Sequence, residues 1–149
     1  NKPGVLARVA GLFARRGFNI VSLAVAPTEI ELFSRLTIVV DAESAPLEQV
    51  VKQLDKLINV VEIQELAPTE SVTRELILAT VRVEEGKEDQ VMKTIENFEA
   101  NILSIGPQRI MVSLSGDVDK VEKFETSLQD FGIIEVQRTG TIALANIER

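Results

Sequence analysis

The sequence predicts an α+β chain built from two βαββαβ units in tandem, and three observations lead there. Hydrophobic residues make up 45% of the 149 residues while aromatic residues make up only 4%, all of them Phe. The core must therefore be aliphatic, and its many Val and Ile residues favour strands. Segments alternating with period two follow helix-period segments in the same order in both halves. Between the halves lies a polar stretch bearing Pro68, Thr69, Glu70 and Ser71, the strongest linker signal in the chain.

In the first half, Pro3 and Gly4 open a helical pattern whose apolar positions are Val5, Leu6, Val9, Ala10 and Phe13. Arg15 and Arg16 suit the negative end of the helix dipole, and Gly17 suits a left-handed cap. Gly11 sits inside this helix at about 1 kcal/mol relative to Ala, which predicts close packing against a sheet there. A strand at Ile20–Val25, a turn at Pro27–Thr28 and a strand at Phe33–Val40 read as a hairpin. Pro46 starts a second helix with Leu47, Val50, Val51, Leu54 and Leu57 on one face, and a strand at Val60–Leu66 closes the unit.

The second half predicts a strand at Leu76–Val83, with Ile77, Ala79, Val81 and Val83 facing inward. A helix follows at Lys87–Phe98, then strands at Ile102–Ile105 and Arg109–Leu114. Asp117 caps a helix with Val118, Val121, Phe124, Leu128 and Phe131 on its face, and a strand at Ile133–Gln137 completes the unit. That order, β-α-β-β-α-β, is the ferredoxin-like sandwich. The first half, α-β-β-α-β, matches it except for an opening strand, expected upstream of Asn1. A sheet with that slot open would invite pairing with another chain. The expected divisions are 1–67, a linker at 68–74, and 75–149.

Composition narrows the function. There is no Cys, which excludes disulfides and thiolate metal sites and fits a reducing, cytoplasmic setting. The absence of His removes the commonest general base and metal ligand. A net charge of −7 disfavours nucleic acid as a partner. No apolar run approaches the roughly 20 residues of a membrane span. No carboxylate pair, nucleophile with a base, or Gly-rich phosphate loop is evident, so no catalytic residues are assigned.

Two segments are candidates for ligand binding. Asn1-Lys2-Pro3-Gly4-Val5-Leu6 delivers the chain into a helix N-terminus. The unpaired N–H groups there, and the positive end of the dipole, suit a carboxylate, while Gly4 permits close approach. Asn19, between the Gly17 cap and the next strand, offers an amide to an ammonium group. From the residues alone, a plain N-cap turn and a loop Asn are the favoured readings of the two segments.

Together these segments resemble an ACT domain, a βαββαβ module that binds small amino acids. The run from Asn1 to Phe13, then Arg15-Arg16-Gly17-Phe18-Asn19-Ile20, resembles acetolactate (acetohydroxyacid) synthase small regulatory subunits. So do Ser34–Val40, Lys52–Val60, Arg74-Glu75-Leu76 and Arg138–Leu144. The chain departs from that pattern between the second and third strands of the first unit. There Glu29-Ile30-Glu31-Leu32 stands in place of a polar Asp/Pro/Gly-type turn.

The resemblance implies a non-catalytic regulatory subunit in branched-chain amino acid biosynthesis. It would bind and activate a large catalytic subunit and confer feedback inhibition by valine. The effector would lie at the interface of an ACT homodimer, held by Asn1, Gly4, Val5, Leu6, Asn19 and Ile20, the last two from the other subunit. No cofactor is implied for this chain; thiamine diphosphate, FAD and Mg²⁺ belong to the catalytic subunit. The alternatives are another ACT-type amino-acid sensor acting on a different biosynthetic enzyme, and a transcription regulator, for which a basic helix-turn-helix segment is missing here.

Overall fold

The structure, a computed structural model, describes residues 4–41, 43 and 46–148. It divides into two compact units, Asn1–Ser71 with Ala143–Arg149, and Val72–Ile142. Asn1, with the Lys2 and Pro3 that precede the first helix, lies outside the described residues.

In the first unit, α1 (Val5–Arg15) buries Val9, Leu12 and Phe13, with Val5 half-buried beside them. This stripe runs i, i+4, i+7, i+8, as an amphipathic helix requires. Leu6 and Ala10, expected on the same face, are exposed instead, because each lies one residue, roughly 100° of helical turn, past the stripe. Leu12 takes the place given to them. The helix ends as the glycine signal predicts. Gly17 adopts φ 71°, Phe18 N–H donates to Phe13 O at 3.0 Å and Gly17 N–H to Ala14 O at 3.2 Å. That pairing is a Schellman cap, completed by an edge-on contact of the Phe13 and Phe18 rings.

β1 (Ile20–Pro27) and β2 (Ser34–Val40) form an antiparallel ribbon, with an irregularity between Ile20 and Ser22. Ile20, Leu36, Ile38 and Val40 pack against α1 and against Val50 of α2 (Leu47–Asp55). The connecting turn is ordered despite its apolar tip. Thr28 N–H donates to Phe33 O at 2.9 Å, and Ile30 N–H donates to the Thr28 hydroxyl at 3.1 Å, leaving Ile30 and Leu32 exposed.

Two expectations fail in this unit. Gly11 is not packed against the sheet: a Cβ built there meets nothing within 4 Å. The predicted strand at 60–66 does not form either, and those residues adopt no regular structure. A strand exists only with a ladder partner. The closing strand of a ferredoxin-like sheet lies beside the opening one, and among the described residues β1 and β2 form a two-stranded sheet of their own.

In the second unit every predicted element forms. β3 (Ser71–Arg82), β4 (Asn101–Gly106), β5 (Arg109–Gly116) and β6 (Ile133–Arg138) lie in the order β4-β5-β3-β6, and a short β7 (Ile142–Ala145) also pairs with β3. α3 (Glu88–Asn97) and α4 (Val118–Gln129) cover one face. Between them and the sheet, Ile77, Ala79, Val81, Val91, Ile95, Ile110, Val112, Leu114, Val121, Phe124 and Leu128 form the core. Asp117 caps α4 as predicted, accepting from Lys120 N–H at 2.8 Å. β3 begins at Ser71 rather than Leu76, after a 3-10 turn at Pro68–Glu70. β5 pairs with β3 as far back as Glu75, and β6 as far as Ile77.

One charged group sits in the inward row of β3. Glu75 is 6% exposed and shares its face with Ile77, Ala79 and Val81. Its carboxylate accepts from Arg138 Nε at 2.8 Å and Nη2 at 3.0 Å, and Arg138 Nη1 donates to Glu125 at 3.0 Å. The guanidinium is held above its ordinary pKa, first by the hydrogen bonds to Glu75, with burial opposing and the Coulombic pull of Glu75 and Glu125 assisting. Thr139 adds a second tie, donating N–H to Leu76 O at 3.0 Å and accepting from Leu76 N–H at 3.1 Å. The cluster fastens the end of β6 to β3 and α4.

Two substitutions check this description by urea denaturation. Glu75→Ala leaves the half-buried guanidinium with Glu125 as its one remaining ion-pair partner and is expected to destabilise by on the order of 2 kcal/mol, the lower part of the range for breaking a buried pair because Arg138 keeps that partner and some solvent access. Gly11→Ala, with open space for its methyl, is expected to stabilise by up to about 1 kcal/mol; a loss would show that its surroundings are not open in solution.

Candidate functional site

α1 of the first unit begins at a glycine turn. Gly4, at the N-cap, adopts φ 82° and ψ −3°, a left-handed conformation that side-chain-bearing residues avoid. Its carbonyl accepts from Arg8 N–H at 3.0 Å, starting the helical ladder. Among the described residues no side chain caps the helix, and its first turn carries no acidic residue. The leading N–H groups thus have neither a helical partner nor a carboxylate competing for them. Gly4 is exposed, and a Cβ there would meet nothing within 4 Å among the described residues. Val5 is half-buried against the core, and Leu6 is 42% exposed beside the turn.

Asn19 and Ile20 stand elsewhere. The Schellman cap turns the chain so that Asn19 leads directly into β1. Its carbonyl accepts from Asp41 N–H at 3.1 Å, which joins the entry of β1 to the exit of β2. Asn19 is exposed, and Ile20 is half-buried against the core opposite Val40. The predicted residues therefore form two groups at opposite ends of α1, and a helix of 11 residues separates them by roughly 16 Å. A single chain does not bring Gly4, Val5 and Leu6 together with Asn19 and Ile20.

Two surface clefts of about 480 and 370 Å³ lie in the second unit, and neither is lined by any of these residues. Among the described residues, no group of three or more Asp or Glu is placed to hold a metal ion. No helix among the described residues is long and apolar enough to cross a membrane.

Sequence reasoning matched Arg74-Glu75-Leu76 and Arg138–Leu144 to a family pattern without assigning them a role, and it did not single out Glu125. The signal was there in part: Glu75 occupies an inward position of an otherwise apolar alternation, where an unpaired carboxylate is untenable.

Comparison with known proteins agrees across both units. Residues 1–62 match the family model described as the AHAS small subunit-like ACT domain, and residues 74–147 match the small subunit of acetolactate synthase. The acetolactate synthase small subunit of Mycobacterium bovis is 48% identical over 145 residues, 97% of this chain and 86% of that protein. That of Mycobacterium leprae is 48% identical over 143 residues, 96% and 85% of the two chains. The crystal structure of the Thermotoga maritima small subunit superposes with a TM-score of 0.89 at 36% identity, covering 100% of this chain and 93% of that one. With two tandem ferredoxin-like units and matches spanning both, the chain belongs to the acetolactate synthase small subunit family.

Proposed function

We propose that this chain is the regulatory, non-catalytic subunit of an acetolactate synthase, binding and activating a large catalytic subunit and making it sensitive to valine. The effector-binding ACT domain is assigned to residues 1–67, the linker to 68–74 and the second domain to 75–149. Thiamine diphosphate, FAD and Mg²⁺ are assigned to the catalytic subunit, and both subunits to the cytoplasm.

Valine is assigned to the interface of two ACT domains. Its carboxylate accepts from the N–H groups at Gly4, Val5 and Leu6. Its ammonium is oriented by Asn1 and by Asn19 of a second copy, and Ile20 of that copy helps enclose the isopropyl group. The observation that supports this reading most is the open left-handed turn at Gly4, with uncapped donors and no competing acid. The separation of that turn from Asn19 along α1 is why two copies are invoked. Occupancy of such a shared site favours the paired state, and that state is the one assigned lower catalytic activity.

The test is valine titration of the purified chain by calorimetry, with activity measured after reconstitution with the catalytic subunit. Gly4→Asp places a carboxylate and a strained backbone where the ligand carboxylate should sit, and is expected to abolish both valine binding and feedback inhibition while leaving activation intact. Normal valine sensitivity in that variant would refute the site. A ligand at about 100 times its Kd adds about 2.7 kcal/mol to the stability of the folded state. Valine should accordingly raise the melting midpoint of the native chain, and lysine or aspartate should not.

A further inference from the structure

Glu75 is the one buried carboxylate among the described residues, and the proposed effector site does not use it. A buried ion pair is a weak source of stability. Desolvation of both charges offsets their attraction, and apolar side chains of similar size hold a core as well. The pairing of Glu75 with Arg138 therefore has to be accounted for in another way, and the strand that carries Arg138 supplies one.

Direct cross-strand partners share a face. Ile133, Val136 and Arg138 of β6 oppose Val81, Ala79 and Ile77 of β3, so these are its inward positions. Burial fixes their register only weakly. Val136 is 41% exposed, and Ile133, which packs on the core, lies beyond an irregularity in the ladder between Thr80 and Val81. Ile134 is the extra residue there, since Glu135 opposes Thr80 and Ile133 opposes Val81. If Ile134 entered the ladder, the rest of β6 would slip by one residue, and every side chain from Glu135 to Arg138 would change face. The backbone hydrogen bonds would re-form after such a slip, because any residue but proline offers the same N–H and carbonyl. The ion pair would not. Arg138 would move to the outer face and leave Glu75 a buried carboxylate without its cation.

We infer that Glu75 and Arg138 are a register pin, a pair that selects one alignment of β6 on β3 through the penalty it sets on the neighbouring one. The guanidinium geometry suits the role. Arg138 meets Glu75 through Nε and Nη2 and Glu125 through Nη1, so it is held from the sheet and from α4 at once. What the pin positions is the exit of the chain. After Arg138 come Thr139, Gly140 and Thr141, and from Ala143 onward the chain groups with the first unit. A slip of one residue would move that exit about 3.3 Å along β3. The inference stands whether or not the valine site does.

The test is disulfide trapping in the full chain, which has no cysteine of its own. Leu78 and Gln137 are direct partners, so Leu78→Cys with Gln137→Cys reports the observed register, and Leu78→Cys with Val136→Cys reports the slipped one. Each cysteine pair is equilibrated in a glutathione buffer in two backgrounds, the parent and the double variant Glu75→Leu with Arg138→Met. In the parent the first pair should close and the second should not. In the double variant the second pair should close roughly tenfold or more over its level in the parent, while the melting midpoint without the cysteines stays at or above the parent's. Apolar contact is non-directional and Met is flexible, so stability survives where selection does not. Closure of the first pair alone in both backgrounds overturns the pin. So does a double variant that melts well below the parent, since the pair would then be holding the fold rather than choosing the register.

Discussion

Val9, Leu12 and Phe13 press α1 against the inner face of the β1–β2 ribbon, and the first unit's candidate site depends on that contact. Burial fixes the rotation of the helix, and the Schellman cap fixes its end. These two constraints determine where the chain is exposed: an open turn at Gly4 on one side, and Asn19 entering β1 on the other. Of the candidate groups, Val5 and Ile20 pack against that aliphatic layer, while Gly4, Leu6 and Asn19 are exposed outside it.

The two units use the same device with opposite outcomes. Each has a left-handed glycine before the first helix of its sandwich, Gly4 at φ 82° and Gly86 at φ 88°. In the second unit that turn is acidic and already satisfied. Glu88 accepts from Gly86 N–H at 2.9 Å, and Lys87 pairs with Glu84 at 3.2 Å. An incoming carboxylate would meet carboxylates. In the first unit no acid occupies the corresponding turn, so a fold repeated twice presents one open donor set among the described residues.

How much of this was legible in the sequence depended on whether the determinant was local. Every element of the second unit was legible, apart from the early start of β3 at Ser71, because its alternating strands, the Asp117 cap and the terminal Gly132 are short-range signals. The first unit was read less completely for two physical reasons. Apolar content does not reveal the phase of a helix to within one residue, so Leu6 and Ala10 were placed inward and Leu12 was missed. Val60–Leu66 has the composition of a strand, yet a strand also needs a partner, which composition cannot supply. The family resemblance rested on extended runs such as Asn1–Phe13, which periodicity alone would have reduced to an amphipathic helix. The Glu75–Arg138–Glu125 cluster joins residues as much as 63 positions apart, and only the folded chain shows them as one group.

The length of α1 has a consequence for symmetry. If one ligand joins the Gly4 end of one copy to the Asn19 end of another, a two-fold axis generates a second, identical site from the remaining ends. Each copy is then a donor in one site and an orienting partner in the other. A mixed dimer of one chain damaged at Gly4 and one damaged at Asn19 would hold one intact site and one doubly broken site. Each mixed dimer of two insensitive chains would thus regain one of the two sites that both parent dimers lack.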